Sequence, residues 1–187
     1  LADFPKRVVV AGGGYIAVEF AGIFAGLGAE TTLIYRGEEI LRGFDDDLRK
    51  ALHEEMEKKG IRVLCGDVFT SIEKREGGDY VGHTKLGEAL EADRIMFAIG
   101  RRPNTAGLGL DAAGVVTSAS GAIAVDDQSR TNVPSIYAVG DVTDRVNLTP
   151  VAIREGAAFA QTVFGGQPLA YDHEDIASAV FTQPPVG

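Results

Sequence analysis

The chain has 187 residues, 45% of them hydrophobic, and its 27 acidic side chains exceed its 18 Lys and Arg to give a formal net charge of -9. This composition is typical of a globular protein and excludes a disordered chain, and the lack of any basic block excludes a DNA or RNA partner. No run approaches the roughly 18 to 20 apolar residues of a membrane-spanning helix, so we expect no membrane partner.

Cys65 is the single cysteine of the chain. One cysteine excludes an intramolecular disulfide, a C-x-x-C redox pair and a zinc site built from cysteines, and it favours a cytoplasmic protein. The sequence starts at Leu1 rather than Met and carries no signal-peptide pattern. We therefore expect this chain to be a piece of something longer.

The first residues of the chain predict a right-handed βαβ unit. A β-branched run from Lys6 to Ala11 predicts a strand, and an apolar segment from Tyr15 to about Leu27 predicts a helix that stops at Gly28. A second strand is predicted at Thr31 to Tyr35. Because the helix crosses between two strands, those strands should be parallel.

A second helix follows, and the pattern then changes. Asp45, Asp46 and Asp47 favour a helix start, because carboxylates stabilise the positive end of the helix dipole, and Gly60 closes that helix. Beyond it the sequence predicts a third strand, a small antiparallel meander of two short strands, and another buried strand. These are Ile61 to Cys65, Ser71 to Arg75, Tyr80 to Thr84 and Arg94 to Ile99.

Periodicity weakens after Pro103. Ala122 to Val125 and Ile136 to Val139 predict strands, and Pro150 to Phe164 predicts a helix. We expect an α/β protein with three domains, at residues 1–102, 103–177 and 178–187.

The sharpest motif is G-x-G-x-x-A at Gly12, Gly14 and Ala17, between a predicted strand and a predicted helix. In a dinucleotide-binding unit the first glycine permits a tight turn, the second lets a pyrophosphate approach the backbone, and the small third residue lets the helix press on the strand. Free N–H groups at the helix start would face the phosphates. The pattern favours a Rossmann-like nucleotide-binding domain, and the alternative is a glycine-rich connector without a ligand.

The end of the second strand indicates which dinucleotide is bound. An NAD site carries Asp or Glu there to bond the ribose 2′-hydroxyl, whereas this chain has Tyr35, followed by Arg36 and Arg42. Two guanidinium groups would bind a 2′-phosphate, so NADPH is favoured over NADH. The alternative is that both arginines balance the acidic side chains of the same loop, which are Glu38, Glu39 and Asp45.

Glu19 and Asp141 are two further candidates. Glu19 lies in an otherwise apolar helix, so a cation from elsewhere should meet it; the alternative is that it faces solvent. Asp141 follows a predicted strand and would accept bonds from a polyol, and Thr149 begins a helix whose positive end would face an anion or an electron-rich ring. A plain turn and a plain helix cap explain these last two residues equally well.

Motifs over almost the whole chain resemble the glutathione reductases, within the flavin-dependent pyridine nucleotide-disulfide oxidoreductases. They run from GGGYIAVE at 12–19 through the Arg36 and Arg42 pair to AIGR at 98–101, YAVGDV at 137–142, LTPVAI at 148–153 and FTQPPVG at 181–187. The arginine pair separates this pattern from that of NAD-using lipoamide dehydrogenases. The resemblance implies an NADPH domain, a returning segment of an FAD domain and the first residues of an interface domain.

The resemblance also implies NADPH and FAD as cofactors and gives residues their roles. The dinucleotide motif would hold the pyrophosphate and ribose through Gly12, Gly14, Ile16 and Ala17. Arg36 and Arg42 would clamp the 2′-phosphate, and Arg101, after Gly100, would border the nucleotide. For FAD, the resemblance implies that Tyr15 is an aromatic gate that lies over the flavin and that Glu19 pairs with a lysine of the FAD domain. It also implies that Asp141 bonds the ribityl chain and that Thr149 begins a helix directed at the isoalloxazine.

Departures from the family pattern limit what this chain does alone. The C-x4-C redox disulfide, the first FAD fingerprint and the catalytic His-Glu pair of such enzymes are not in it, and His53, His83 and His173 lie outside the family's catalytic motif. We therefore expect no catalytic residue and no metal ligand here, with Cys65 a small core residue. The parent would be a homodimer that reduces glutathione disulfide, and the isolated chain a monomer. The alternatives are a mercuric or trypanothione reductase, or a stand-alone redox-sensing module.

Overall fold

A computed structural model describes residues 3–187 of the protein; Leu1 and Ala2, at the start of the first predicted domain, lie outside the described residues. The chain forms two units. The first contains the residues up to Gly100 together with Ala177–Gly187, and the second contains Arg101–Ile176. The division into three domains at 102 and 177 stays a prediction.

The first unit holds most of the regular structure. In chain order it contains β1 (Arg7–Ala11), α1 (Tyr15–Gly26), β2 (Glu30–Tyr35), α2 (Asp46–Lys58), β3 (Arg62–Cys65), β4 (Phe69–Lys74), β5 (Tyr80–Thr84), β6 (Ala89–Ala92) and β7 (Arg94–Phe97). Four of the strands form a parallel sheet in the order β3-β2-β1-β7. The α/β class and the parallel pairing of the first two strands are thereby confirmed.

The central strand β1 shows why this sheet is parallel. Val8, Val9 and Val10 are all buried, so the strand is covered on both faces, as strands of parallel sheets are. The helices α1 and α2 pack on one face of the sheet, where Val18 and Leu52 join Val8 and Val10 in one hydrophobic cluster. All the carboxyl ends of the strands therefore meet at one edge of the sheet, where ligands gather in this architecture.

The start of α2 and the ends of α1 and α2 agree with the sequence-based predictions. The Asp45 side chain caps α2 by accepting a hydrogen bond from the Asp47 N–H, and Asp46 and Asp47 occupy its first turn. The chain leaves each helix through a glycine in the left-handed region, Gly28 after α1 at φ 94° and Gly60 after α2 at φ 82°.

The antiparallel meander has three strands rather than two. β4, β5 and β6 pair in that order, and β6 continues into β7 of the parallel sheet after a single residue. The sequence does not predict β6, because Ala89–Ala92 has only four residues and two of them are alanines, which are weak strand formers.

A buried carboxylate fixes the connection between β3 and β4. Asp67 is only 3% exposed, and its Oδ1 accepts hydrogen bonds from the N–H groups of Val68 (2.8 Å) and Leu86 (3.1 Å). Burial alone would raise the pKa of Asp67, but hydrogen bonds from the Thr84 hydroxyl and from the backbone outweigh it and hold the pKa below its ordinary value. Asp67 therefore ties the start of β4 to the turn after β5.

The second unit contains a short 3-10 helix, Gly140–Thr143, and the helix α3, Thr149–Val163. The predicted helix at Pro150 to Phe164 is confirmed within one residue. The predicted strands Ala122 to Val125 and Ile136 to Val139 are wrong, because these segments form only isolated bridges. Their hydrogen bonds go to irregular chain instead of to a continuous partner strand.

Within residues 3–187, we find no helix that combines the length and the apolar character needed to cross a bilayer.

Candidate nucleotide-binding site

The glycine-rich turn follows β1 at the carboxyl edge of the parallel sheet. Gly12 has φ 142°, and a Cβ on it would collide with the Ala98 carbonyl oxygen that follows β7. Ala17, the small residue of the motif, is fully buried. The turn therefore requires glycine at position 12 and a small side chain at position 17, as the dinucleotide motif predicts.

Gly14 leaves the start of α1 open. It is exposed, and no heavy atom would lie within 4 Å of a Cβ built on it. No side chain caps the helix, and its first turn holds no acidic residue. The first N–H groups of α1 therefore point into free space with a positive potential, which is an arrangement that binds anions. Tyr15, the first residue of α1, is 37% exposed beside them.

Tyr35, at the end of β2, packs where the sheet edge meets the glycine-rich turn. A Cβ on Gly13 or on Gly37 would overlap its ring, so the ring lies against both glycines. The position that carries a ribose-binding carboxylate in an NAD site is thus filled by an aromatic ring, and no negative charge stands there to repel a phosphate.

The loop at Arg36–Phe44, here named the arginine loop, carries both candidate phosphate ligands. Arg36 and Arg42 are exposed, and neither forms an ion pair within 4.0 Å in the described part of the chain. Of the acidic side chains suggested as their partners, Glu39 instead lies 2.7 Å from His53 and Asp45 caps α2. Two guanidinium groups are therefore free to take an anion.

Hydrogen bonds hold the arginine loop in place. The Leu41 N–H donates to the Gly13 carbonyl oxygen at 2.6 Å, and the Gly66 N–H donates to the Gly37 carbonyl oxygen at 2.8 Å. From α2, Arg49 donates to the carbonyl oxygens of Ile40 (2.7 Å) and Glu39 (3.0 Å). This role of Arg49 is not predicted from the sequence, because nothing in its spacing distinguishes it from an ordinary solvent-exposed helix residue.

Glu19 lies on α1 and is half-buried. Its Oε1 accepts a hydrogen bond from the Phe181 N–H at 2.8 Å, within the same unit. Across the described residues no cation lies within 4.0 Å of it, so the expected positive partner is replaced here by a backbone donor.

Two residues assigned to different ligands meet in the second unit. Arg101 donates to Asp141 Oδ2 at 2.8 Å, and both side chains are about half exposed. Thr149 begins α3 at an exposed position, and no side chain caps that helix. Arg101, the candidate at the border of the nucleotide, is thus bonded to Asp141, the candidate for the ribityl chain.

A buried charge cluster supports the turn that carries Asp141. Glu155, 1% exposed, accepts hydrogen bonds from the Gly140 N–H through Oε2 and lies 3.0 Å from Arg145 and 2.6 Å from His173 through Oε1. This cluster is not among the residues predicted from the sequence. The pattern that singles out Glu19, a carboxylate on the apolar face of a helix, applies equally to Glu155.

Comparison with known protein families gives a match over most of the chain. The model of the family described as pyridine nucleotide-disulphide oxidoreductase matches residues 1–156. A glutathione reductase of Burkholderia cepacia is 53% identical over 96% of this chain and 40% of its own length. A trypanothione reductase of Leishmania donovani is 51% identical over 100% of this chain and 39% of its own length.

Solved structures give the same result at lower sequence identity. The HOCl-induced flavoprotein disulfide reductase RclA from Escherichia coli superposes with a TM-score of 0.92 at 27% identity, covering 99% of this chain and 42% of that one. LpdA from Mycobacterium tuberculosis superposes with a TM-score of 0.89 at 28% identity, over 99% of this chain and 40% of that one.

This chain therefore spans about two fifths of the length of the relatives it matches. The family resemblance drawn from the motifs is confirmed. On the match over residues 1–156, the chain belongs to the pyridine nucleotide-disulphide oxidoreductase family.

Proposed function

We propose that this chain is the NADPH-binding part of a flavin-dependent disulfide reductase, in which hydride passes from NADPH to FAD and the electrons then reduce a disulfide. The observation that carries the proposal is the arginine loop: it is tied to the glycine-rich turn, and its two guanidinium groups have no ion-pair partner among residues 3–187. Membership of the family supports it.

The glycine-rich turn fits the pyrophosphate of a dinucleotide. Gly14 offers an open approach to the backbone, and the uncapped start of α1 offers N–H donors and the positive end of the helix dipole. Ile16 and Ala17 follow in the first turn and, with Gly12, would border the pyrophosphate and the adjacent ribose. A bound nucleotide would supply a hydride; the chain's own residues supply orientation and charge neutralisation.

The arginine loop fits a 2′-phosphate. Arginine presents N–H donors in a planar fork that matches phosphate oxygens, and Arg36 and Arg42 hold no competing carboxylate in the described structure. Tyr35 presents no charge at the end of β2. Gly100 and Arg101 would border the nucleotide, and for Arg101 this requires its bond with Asp141 to open or to rearrange.

The residues assigned to FAD fit only part of a flavin site. Tyr15 would lie over the flavin as a gate, Glu19 would pair with a lysine of the FAD domain, and Asp141 would accept bonds from the ribityl hydroxyls. Thr149 begins an uncapped helix whose positive end would face the isoalloxazine. FAD would accept the hydride, and this chain would supply only some of the residues that hold it.

Glutathione disulfide is the proposed substrate, on the identity to the Burkholderia cepacia enzyme. The nearly equal identity to the Leishmania donovani enzyme supports trypanothione disulfide as the second candidate. We further propose a cytoplasmic homodimeric parent and a monomeric isolated chain, with the single Cys65 supporting the reducing compartment.

A titration of the two reduced coenzymes tests the proposed nucleotide site. In calorimetry, the double substitution Arg36→Ala with Arg42→Ala should weaken NADPH binding at least about a hundredfold, since each charge-assisted contact contributes about 1.5 to 3 kcal/mol, and should leave NADH binding nearly unchanged. The charge-matched control replaces Lys74 and Arg94, both exposed and at other positions of the unit. The proposal is contradicted if the double substitution weakens NADPH and NADH binding equally, or if the control substitutions weaken NADPH binding as much.

A further inference from the structure

Three potential metal ligands from three different elements meet behind the arginine loop. Glu39 belongs to the loop, His53 to α2 and Cys65 to the end of β3, and their ligand atoms all lie within 4.8 Å of one another. The His53 Nδ1 lies 2.7 Å from Glu39 Oε1. All three residues are half-buried, so a cation would reach them and still be partly shielded from water.

The fold fixes this meeting point. Cys65 is the register partner of Tyr35, so the end of β3 lies beside the residue from which the arginine loop departs. Leu52 packs in the core and fixes the position of α2, and the adjacent His53 is half-buried. Arg49, one turn earlier, binds the Glu39 and Ile40 carbonyl oxygens and holds the loop against the helix.

The donor set is one that zinc prefers. Thiolate, imidazole and carboxylate bind Zn²⁺ at about 2.3, 2.0 and 2.1 Å, which in a tetrahedron places the ligand atoms about 3.3 to 3.8 Å apart. The ligand atoms lie within 4.8 Å of one another, so closing the cluster changes these separations by at most about 1.5 Å. Three protein ligands would leave a fourth position for water.

The charges around the cluster also suit a dication. Glu39 supplies one carboxylate, and Cys65 supplies one thiolate once its proton is displaced, so these two anionic ligands would neutralise a dication. Binding of Zn²⁺ would release the Cys65 thiol proton to solvent, and a neutral His53 would bind the metal through Nδ1 with its single ring proton on Nε2. The Oε1 of Glu57 lies 3.7 Å from His53 Nε2, so a small shift of either side chain would let Glu57 accept a hydrogen bond from the ring N–H.

We propose that Glu39, His53 and Cys65 form a Zn²⁺-binding site that clamps the arginine loop to α2 and β3. Glu39 lies in sequence between Arg36 and Arg42, so fixing it fixes the loop that carries both guanidinium groups. If the proposed NADPH site is also correct, Zn²⁺ and NADPH should each tighten the binding of the other, because both bind the same ordered loop.

Zinc titration of the chain without nucleotide tests the site independently of the proposed function. With the thiol kept reduced by a phosphine that does not chelate metal, competition against a chromogenic chelator should give one Zn²⁺ per chain. Cys65→Ser and His53→Gln should each weaken binding at least tenfold. The matched control His83→Gln alters a half-buried histidine of the antiparallel sheet, outside the cluster, and should leave binding unchanged.

Cobalt gives a second readout that does not depend on affinity. Co²⁺ added to the wild-type chain should produce a thiolate-to-cobalt charge-transfer band, which Cys65→Ser should abolish while the circular dichroism spectrum stays that of the folded chain. The proposal is overturned by a stoichiometry of zero, by zinc binding that survives both substitutions, or by a cobalt complex without thiolate absorption. If zinc binds but NADPH does not, the proposed function fails and the zinc site stands. If both bind without affecting each other, the clamp on the arginine loop is contradicted.

Discussion

The Leu41 N–H donates to the Gly13 carbonyl oxygen at 2.6 Å and thereby joins the arginine loop to the glycine-rich turn. Leu41 is 1% exposed and has φ 51°, so its side chain enters the core while its backbone turns back toward the nucleotide motif. The proposed pyrophosphate and 2′-phosphate ligands are therefore parts of one connected structure.

The Tyr35 ring makes Gly13 a sensitive position. Gly13→Ala should weaken NADPH binding, because the new Cβ would overlap the ring and displace it together with the loop that follows. We expect at least a tenfold rise in the calorimetric Kd. Gly22→Ala is the matched control within α1, where a Cβ meets nothing within 4 Å, and it should stabilise the chain by about 0.5 to 1 kcal/mol with NADPH binding unchanged. Wild-type affinity in Gly13→Ala would contradict this packing argument.

Asp67 should make the stability of the first unit dependent on pH. Its folded pKa is held below the unfolded value of about 3.9, so its contribution is complete above about pH 5 and is lost as the pH falls through the folded pKa. Asp67→Asn should lower the free energy of unfolding by about 1.5 to 3 kcal/mol at pH 7 and by less at pH 3 in urea denaturation.

The control for Asp67 is Glu76→Gln, which removes the same charge from an exposed turn of the antiparallel sheet. It should change stability by less than about 0.5 kcal/mol. A stability difference between Asp67→Asn and the wild type that is independent of pH would show that the carboxylate acts through something other than its charge.

In the Glu155 cluster, removing the cation Arg145 should destabilise the protein more than removing the charge of Glu155 itself. Arg145→Met leaves a carboxylate that is 1% exposed with one cationic neighbour fewer, and should destabilise the second unit by about 3 kcal/mol. Glu155→Gln should cost about 1 kcal/mol, because Arg145 and His173, each about a quarter exposed, stay hydrated. Urea melts followed by circular dichroism check the order, and the reverse order would contradict the burial argument.

Flavin content tests the view that this chain holds only part of a flavin site. Asp141 is bonded to Arg101, and Thr149 offers one helix start, so the purified chain should be colourless. Visible absorption spectroscopy checks this directly. A yellow protein with a stoichiometric flavin spectrum would contradict it.

The sequence predicts the first unit well. Glycines, β-branched runs and the Asp45 cap act over a few residues, so the sequence alone locates β1, α1, β2 and α2 within one or two positions. The second unit is predicted less well. Its apolar segments around Ile123 and Ile136 have the composition of strands, but whether a strand forms depends on a partner at long range.

Contacts between distant side chains account for the remaining differences. Glu39, His53 and Cys65 come from a loop, a helix and a strand. The sequence around each of them contains no metal-binding pattern that would single it out. Arg101 and Asp141 likewise pair over 40 positions. Such groups follow from the packing of the elements, which no local pattern encodes.

A crystal structure of the chain with NADP⁺ tests the central claim most directly. The account predicts the 2′-phosphate between the guanidinium groups of Arg36 and Arg42, with N···O distances of about 2.7 to 2.9 Å, and the pyrophosphate at the N–H groups that begin α1. Density for the 2′-phosphate elsewhere, or both arginines turned to solvent with the nucleotide bound, would contradict it.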